Sequence, residues 1–321
     1  MTWTKLVALS LVLAAAAGGF AYYVNGRVAA QAAAAEDAFP PEGELIEVNG
    51  TTVHAVVRGS GPDLVLIHGA SGNTRDFTFD LVGRLSDRYR VIALDRPGFG
   101  YTDRLGRGSE SINDQAILLQ AAAAHLGAEK PIVLGQSYGG AVAMAWAVER
   151  PDKLSGLVMV AGVSNPWVGG VDTLYHVLGS RPGSALLVPL VSAYYGRERV
   201  LDAVRGVFSP QLPPDGYAEY IGTGLTLRPQ SLRANAQQRI TLEREITELV
   251  PRYEAVDVPA ELVHGTADGI VAHVVHSIPL SRQLDDANLV ALNGVGHMPH
   301  HTHTEAVIAA IDRVAGRAGL R

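Results

Sequence analysis

Short apolar runs alternate with longer segments rich in helix-forming residues along most of the chain. The apolar runs suit buried β-strands, and the segments between them carry apolar residues at helical spacing. The runs occupy residues 64–67, 91–94, 132–134, 157–161, 260–263 and 288–292. Strands that alternate with helices in this way predict a mostly parallel sheet with helices on both faces.

Two stretches depart from this rhythm. Residues 44–58 alternate around Asn49-Gly50, which predicts a β-hairpin before the parallel strands. Residues 165–240 contain many aromatic residues and prolines but no clean buried run, and helices are predicted near 171–178, 184–195 and 198–207. We interpret this stretch as a helical cap inserted over one edge of the sheet, where it would shape a substrate pocket and exclude water.

The N-terminal segment is set apart by its apolar character. The stretch Leu6–Val24 carries no charge and has about the length needed for one bilayer crossing, with Trp3 and Tyr22 as aromatic anchors at its ends. We expect an uncleaved transmembrane helix, and a cleaved signal peptide is the alternative because small residues that suit cleavage follow the apolar core. Either interpretation places the body of the chain outside the cytoplasm, in the periplasm or the extracellular space. If the segment is a signal peptide and is cleaved, the protein is secreted.

The expected domain organisation follows from these patterns. Residues 1–43 form the membrane anchor or signal segment and a linker, because the Ala-rich stretch 28–43 predicts a tether without a core of its own. Residues 44–321 form one α/β domain with the cap at about 165–240.

Composition narrows the classes of function. The chain has 321 residues, 47% of them hydrophobic, and its formal net charge is −6. No basic field is present to attract nucleic acid, so we expect a small-molecule substrate. The chain contains no cysteine, which excludes disulfides, thiol nucleophiles and cysteine-ligated zinc. The oligomeric state stays open.

A serine motif stands at the centre of the alternating region. The stretch Gly135-Gln136-Ser137-Tyr138-Gly139 matches G-x-S-x-G and lies between a predicted strand and a run of helix formers. This is the context of a nucleophile elbow, in which a sharp turn lifts the serine hydroxyl clear of the sheet edge. Side chains two positions before and after the serine would clash with the backbone, which explains the two glycines.

A serine hydroxyl needs a base, and a histidine base needs an acidic partner that fixes its tautomer. Asp268 and His297 each follow a predicted strand. Because the carboxyl ends of parallel strands meet at one edge of the sheet, both side chains can reach Ser137.

Several motifs taken together resemble the α/β-hydrolase fold family, in its capped, lipase- and esterase-like branch, over about residues 44–316. They are Leu66-Ile67-His68-Gly69, Asp95-Arg96-Pro97-Gly98-Phe99-Gly100, the motif around Ser137, His264-Gly265-Thr266-Ala267-Asp268 and Gly296-His297-Met298-Pro299-His300. The resemblance implies a mostly parallel eight-stranded sheet with an inserted helical cap.

The resemblance also implies the roles of individual residues. Ser137 is expected to be the nucleophile, His297 the general base and Asp268 the acid that orients it. The backbone N–H groups of Ala70 and Tyr138 are expected to form the oxyanion hole. The loop after His-Gly departs from the family, which often has a bulky residue or proline there, whereas this chain has Ala-Ser-Gly.

We therefore expect a serine hydrolase that cleaves a small or medium apolar carboxylic ester through an acyl-enzyme. Serine at the elbow argues against haloalkane dehalogenase and epoxide hydrolase chemistry, for which related members use aspartate. Amidase, thioesterase, carbon–carbon bond hydrolase and haloperoxidase activities stay open, as does a slow-turnover ligand-binding protein on the same scaffold. No cofactor and no metal are expected, because no carboxylate lies between the clustered histidines at 297, 300, 301 and 303.

Overall fold

The computed structural model describes residues 2–106 and 110–321. Eight strands form one sheet in the order β1-β2-β4-β3-β5-β6-β7-β8. The strands are β1 (Glu44–Val48), β2 (Thr51–Arg58), β3 (Asp63–Ile67), β4 (Arg90–Leu94), β5 (Ile132–Gln136), β6 (Gly156–Val160), β7 (Ala260–Gly265) and β8 (Ala287–Leu292).

The strand pairing confirms the predicted mostly parallel sheet. The hairpin β1–β2 turns at Asn49 and Gly50, which both have positive φ, as the Asn-Gly pair predicts. The strand β2 also pairs antiparallel with β4, and every pair from β4 through β3 to β8 is parallel. The carboxyl ends of β3 to β8 therefore lie along one edge of the sheet.

Among the helices, one long helix precedes the sheet, the last ones follow β8, and the others lie between consecutive strands. They are α1 (Trp3–Ala38), α2 (Arg75–Thr78), α3 (Leu81–Leu85), α4 (Ile112–His125), α5 (Tyr138–Glu149), α6 (Thr173–Gly179), α7 (Arg181–Tyr194), α8 (Arg197–Phe208), α9 (Tyr217–Tyr220), α10 (Thr223–Thr226), α11 (Pro229–Leu249), α12 (Ser277–Gln283), α13 (Pro299–Thr302) and α14 (Thr304–Arg317).

The apolar core has two parts, one on each face of the sheet. One part packs α4 and α5 against the sheet, and the other packs α3 and α14 against the opposite face. The helix α5 is buried almost throughout and approaches the sheet closely, since a Cβ atom on its Gly140 would lie 2.7 Å from the Cα atom of Gly162. Helices on both faces explain why the central strands consist of continuous apolar runs.

The helices α6 to α11 are inserted between β6 and β7, in the stretch interpreted as a cap. The first three of them lie near the predicted segments. The helix α11 starts with Pro229 in its first turn and continues to Leu249, past the expected end of the cap at about 240.

The N-terminal segment differs from the expected tether. The helix α1 continues through the Ala-rich stretch to Ala38, because alanine has the highest helix propensity. Its first turns are exposed, whereas Val24, Val28 and Ala35 are buried against the inserted helices. The Arg27 side chain also donates a hydrogen bond of 2.8 Å to the carbonyl of Ala193. Residues 24–38 are thus part of the folded body.

Candidate active site

Ser137 occupies a strained turn between β5 and α5. Its φ of 53° lies in a region that residues other than glycine rarely adopt. The flanking glycines are required by space, because a Cβ atom on Gly135 would lie 2.2 Å from the carbonyl oxygen of Gly139. A Cβ atom on Gly139 would lie 2.1 Å from the carbonyl oxygen of Ile67. The close approach of three backbone segments holds the serine in this conformation.

The three side chains expected to act together form a continuous hydrogen-bonded chain. The Oγ atom of Ser137 lies 2.9 Å from Nε2 of His297, and Nδ1 of His297 lies 2.7 Å from Oδ2 of Asp268. All three residues are buried. This geometry allows His297 to accept the serine proton at Nε2 while its Nδ1–H donates to the carboxylate.

The carboxylate of Asp268 is held by more groups than His297. Its Oδ1 atom accepts hydrogen bonds from the backbone N–H groups of Ile270 and Val271 at 2.8 and 2.9 Å. His264 Nε2 lies 3.1 Å from Oδ2 and so shares this oxygen with His297. Burial alone would raise the pKa of Asp268, but the hydrogen bonds from His264 and His297 outweigh it and hold this pKa well below its usual value. The carboxylate therefore stays ionised at neutral pH.

The backbone N–H groups of Ala70 and Tyr138 belong to two segments near the serine, which are the loop after β3 and the first turn of α5. Tyr138 opens α5, where the helix dipole favours negative charge. The loop that carries Ala70 passes close to the serine, because a Cβ atom on Gly69 would lie 3.1 Å from Cβ of Ser137. Within residues 2–106 and 110–321, neither N–H group donates a hydrogen bond to the protein. Both are free to bind an anionic oxygen.

A fully buried arginine supports this loop. The Arg96 side chain donates to the carbonyl oxygens of His68 and Gly69 at 2.9 and 3.0 Å. It also donates to the side-chain oxygens of Gln115 and Gln238 at 2.9 and 2.7 Å, and Gln238 belongs to α11. Arg96 therefore connects the loop before Ala70 to the inserted helices.

His68 is fixed as a neutral structural residue. Its Nε2 atom accepts from the backbone N–H of Arg96 at 2.9 Å, so its Nδ1–H donates to the carbonyl of Gly69 at 2.8 Å. Burial and the neighbouring Arg96 charge lower the pKa of His68 to about 4. It braces the loop without exchanging protons near neutral pH.

A cavity of about 550 Å³ opens onto the serine. Ser137, His297 and Ala70 lie at its base. Its upper wall is mostly apolar and is built by α6, α7 and α8 and the residue that follows α7, through Leu174, Leu178, Val191, Tyr195, Val204, Val207 and Phe208. The volume is within the usual range for a small-molecule site.

Comparison with known proteins agrees with this architecture. A family model described as the alpha/beta hydrolase fold matches residues 62–304, which is most of the chain. The chain belongs to the α/β-hydrolase fold family.

The relatives of this α/β hydrolase differ in chemistry. Haloalkane dehalogenase 2 of Mycobacterium tuberculosis is 34% identical over 137 residues, which cover 42% of this chain and 46% of the relative, less than half of its length. Pimeloyl-[acyl-carrier protein] methyl ester esterase of a Shewanella species is 28% identical over 269 residues, or 81% of this chain and 92% of the relative. The crystal structure of a membrane phospholipase A shares the fold with a TM-score of 0.65 at 23% identity, over 98% of this chain and 99% of that one.

Sequence patterns did not reveal every residue around the site. Gln238 acts through a contact with Arg96 that no local motif marks, and Arg96 is buried although its motif predicts only a turn. His264 contacts Asp268 four residues later in the same short motif, so its position in the sequence was the available signal.

Proposed function

We propose that this α/β hydrolase cleaves carboxylic esters through an acyl-enzyme, with Ser137 as nucleophile, His297 as general base and Asp268 as its orienting acid. The observation that carries the proposal is the hydrogen-bonded chain from Asp268 through His297 to a serine on a strained turn. The strain is local and is held in place by the packing of Gly135 and Gly139, as expected for a nucleophile that must stay accessible.

The proposed reaction follows from the positions of these groups. The Oγ atom of Ser137 attacks the ester carbonyl as His297 Nε2 removes its proton. The N–H groups of Ala70 and Tyr138 stabilise the resulting oxyanion. The tetrahedral intermediate then collapses, and His297 donates the proton to the departing alkoxide. Water activated by His297 attacks the acyl-enzyme, and release of the acid restores Ser137.

The walls of the cavity support an apolar acyl or alcohol group as the bound part of the substrate. Leu174, Leu178, Val191 and Val204 face the space above Ser137, and burying apolar surface there contributes about 25 cal/mol per Å². A cavity of about 550 Å³ suits a small or medium ester. The esterase from Shewanella is a relative over most of its length, which agrees with ester hydrolysis.

The other hydrolytic reactions differ in the leaving group and not in the nucleophile, since amide, thioester and carbon–carbon bond cleavage would use the same Ser137 and His297. Haloperoxidase activity would use them too, with hydrogen peroxide in place of water as the acceptor of the acyl group. A slow-turnover ligand-binding protein would release the alcohol on acylation but would not hydrolyse the acyl-enzyme. Rates with matched ester, thioester and amide substrates of one acyl chain separate these alternatives, and a burst followed by a stable covalent adduct would identify the binding protein.

The first test is labelling with a fluorophosphonate, which requires an activated serine but little substrate specificity. The full chain in detergent should be used, because removing residues 1–38 would also remove the contacts of Val24, Val28 and Ala35. We expect labelling of wild type and none of Ser137→Ala. Ser155→Ala is the matched control and should label like wild type, since Ser155 lies at the opposite end of β6. A folded wild type that does not label would refute the proposed nucleophile.

The proposed acid is tested with Asp268→Asn. The amide cannot stabilise the imidazolium and permits the wrong tautomer of His297, so kcat should fall by roughly 10³- to 10⁴-fold with a short-chain ester. Asp257→Asn changes an exposed carboxylate of the same region and should leave kcat unchanged. A fall of less than about tenfold for Asp268→Asn would point to another acid.

We further propose that α1 anchors the enzyme in a membrane with its catalytic body outside the cytoplasm. By length and composition α1 can cross a bilayer, and a signal sequence would pass the same criterion. The burial of Val24, Val28 and Ala35 supports retention, because cleavage after them would remove part of the folded body. Full-length protein in the membrane fraction after carbonate washing would support the anchor, and a shortened soluble chain would refute it.

A further inference from the structure

A second polar cluster lies beside the cavity and takes no part in the proposed reaction. It joins Asp76 of α2 to His300 and His301 of α13. The Nε2 atom of His300 lies 3.1 Å from Oδ2 of Asp76, and that of His301 lies 2.8 Å from Oδ1. One potential ligand atom from each of the three residues lies within 4.8 Å of the others. The hydroxyl of Tyr217 donates to Oδ1 of Asp76 at 2.6 Å.

The cluster is buried and lacks a fixed cation. Asp76 is 6% exposed and His300 is fully buried. Among the residues that the structure describes, no lysine or arginine forms an ion pair with Asp76. The carboxylate of Asp76 accepts its hydrogen bonds from two imidazoles and one phenol. A cation bound by these groups would lie next to a buried carboxylate and would offset the cost of burying its charge.

The donor atoms fit a particular class of cation. Two imidazole nitrogens and a carboxylate are ligands that suit zinc and other divalent first-row transition metals. In a tetrahedral site, metal–ligand distances of about 2.0–2.2 Å place neighbouring ligand atoms roughly 3.3–3.6 Å apart. The separations of 2.8 and 3.1 Å between carboxylate and imidazole atoms would therefore have to widen by less than about 1 Å.

The tautomers of both histidines can also adapt. A metal at the Nε2 atoms displaces their protons, which then move to the Nδ1 atoms. Both Nδ1 atoms are buried and have no hydrogen-bond partner, so this change breaks no existing hydrogen bond at Nδ1.

We propose that Asp76, His300 and His301 bind a divalent transition-metal ion such as Zn²⁺. The sequence alone did not suggest the site because its carboxylate comes from residue 76, far from the histidines in the chain. The metal would join α2 to α13, while the Tyr217 hydroxyl of α9 is hydrogen-bonded to Asp76, and α13 begins two residues after His297. It would therefore stabilise the segment that carries the proposed general base and its contact with the inserted helices.

The test measures metal binding directly. The full chain in detergent is treated with chelator, dialysed and titrated with Co²⁺, whose visible absorption reports coordination, and Zn²⁺ is then added as a competitor. We expect one equivalent of Co²⁺ to bind and to be displaced by Zn²⁺. Bound metal should also raise the midpoint of thermal unfolding by several degrees, because a ligand that binds only the folded state stabilises it.

The variants Asp76→Asn and His301→Gln should weaken Co²⁺ binding at least tenfold. His303→Gln, which changes an exposed histidine of the same segment, should bind Co²⁺ like wild type. His301→Gln replaces the imidazole with a smaller neutral amide and keeps the test informative if Asp76→Asn does not fold, with circular dichroism as the check. Folded wild type that binds no Co²⁺ or Zn²⁺ at micromolar concentration, or equal binding by wild type and His301→Gln, would overturn the proposal. Ser137→Ala should bind metal normally, so failure of this site and failure of the proposed hydrolysis are separate results.

Discussion

Replacing Arg96 with methionine tests whether the buried guanidinium positions the loop that carries Ala70. Methionine has a similar length but no donor, so the carbonyl oxygen of His68 would lose its donor and that of Gly69 would lose one of its donors. The side-chain oxygens of Gln115 and Gln238 would also lose the hydrogen bonds from Arg96. An unsatisfied buried carbonyl costs about 1–3 kcal/mol. The substitution also removes the cost of burying a charge, which is large enough to lower the pKa of Arg96 to about 10. We expect a net loss of about 3 kcal/mol in the free energy of unfolding.

Activity should fall by more than the loss of folded protein accounts for. Without the hydrogen bonds from Arg96 the loop can shift, and a displacement on the order of 1 Å at a site of charge stabilisation costs roughly a hundredfold in rate. The loss should appear mainly in kcat, because the apolar cavity walls that bind the substrate come from α6, α7 and α8. Urea unfolding followed by circular dichroism gives the stability, and initial rates with a short-chain p-nitrophenyl ester give kcat and KM.

Two further variants make this experiment decisive. Arg96→Lys retains the charge but not the planar guanidinium that donates to four acceptors. Its kcat should therefore lie between that of the methionine variant and that of the wild type. Arg205→Met removes an exposed arginine of α8 and should change stability by less than about 0.5 kcal/mol. A folded Arg96→Met protein with kcat within twofold of wild type would refute the positioning role of Arg96.

Three other outcomes are expected. Gly139→Ala should lose about 3 kcal/mol of stability in urea unfolding because its Cβ would lie 2.1 Å from the carbonyl oxygen of Ile67, whereas Gly83→Ala meets no atom within 4 Å and should fold like wild type. Burial lowers the pKa values of His68 and His276 to about 4, so both stay neutral in the folded state while the unfolded chain protonates them below about pH 6.5. The free energy of unfolding should therefore decrease from pH 6.5 to 4 by up to about 1.4 kcal/mol per pH unit for each histidine. The variant His276→Gln should flatten that slope. Val28→Asp should destabilise the fold by about 2 kcal/mol in thermal unfolding and Ala29→Asp, at an exposed position, should not; equal midpoints would show that α1 does not pack on the body.

Much of the fold could be predicted because its signals are local. The Asn49-Gly50 turn, the apolar strands and the glycines around Ser137 each depend on the conformation of a few neighbouring residues. Asp268 and His297 were placed at one sheet edge by a general property of parallel strands, and the structure brings both side chains to Ser137.

The features that the sequence did not predict depend on contacts between distant segments. The meeting of Asp76 with His300 and His301 joins residues more than two hundred positions apart. The hydrogen bond from Arg96 to Gln238 likewise joins the loop after β4 to α11, one of the inserted helices. The tether expected over residues 28–43 is wrong up to Ala38 for another reason. Alanine has a small side chain but the highest helix propensity, so the Ala-rich stretch continues α1.

The helix α7 connects the N-terminal segment with the proposed substrate site. Its Leu190 and Ala193 contact Val24 and Val28 of α1, while Val191 lines the cavity above Ser137. The wall of the cavity is thus packed on its outer side by a helix whose earlier turns are long and apolar enough to cross a membrane. The residues proposed to carry out the chemistry lie after strand ends and are held by hydrogen bonds within the body. A displacement of α1 would therefore act directly on α7 and the wall of the pocket, and only indirectly on Ser137 and His297.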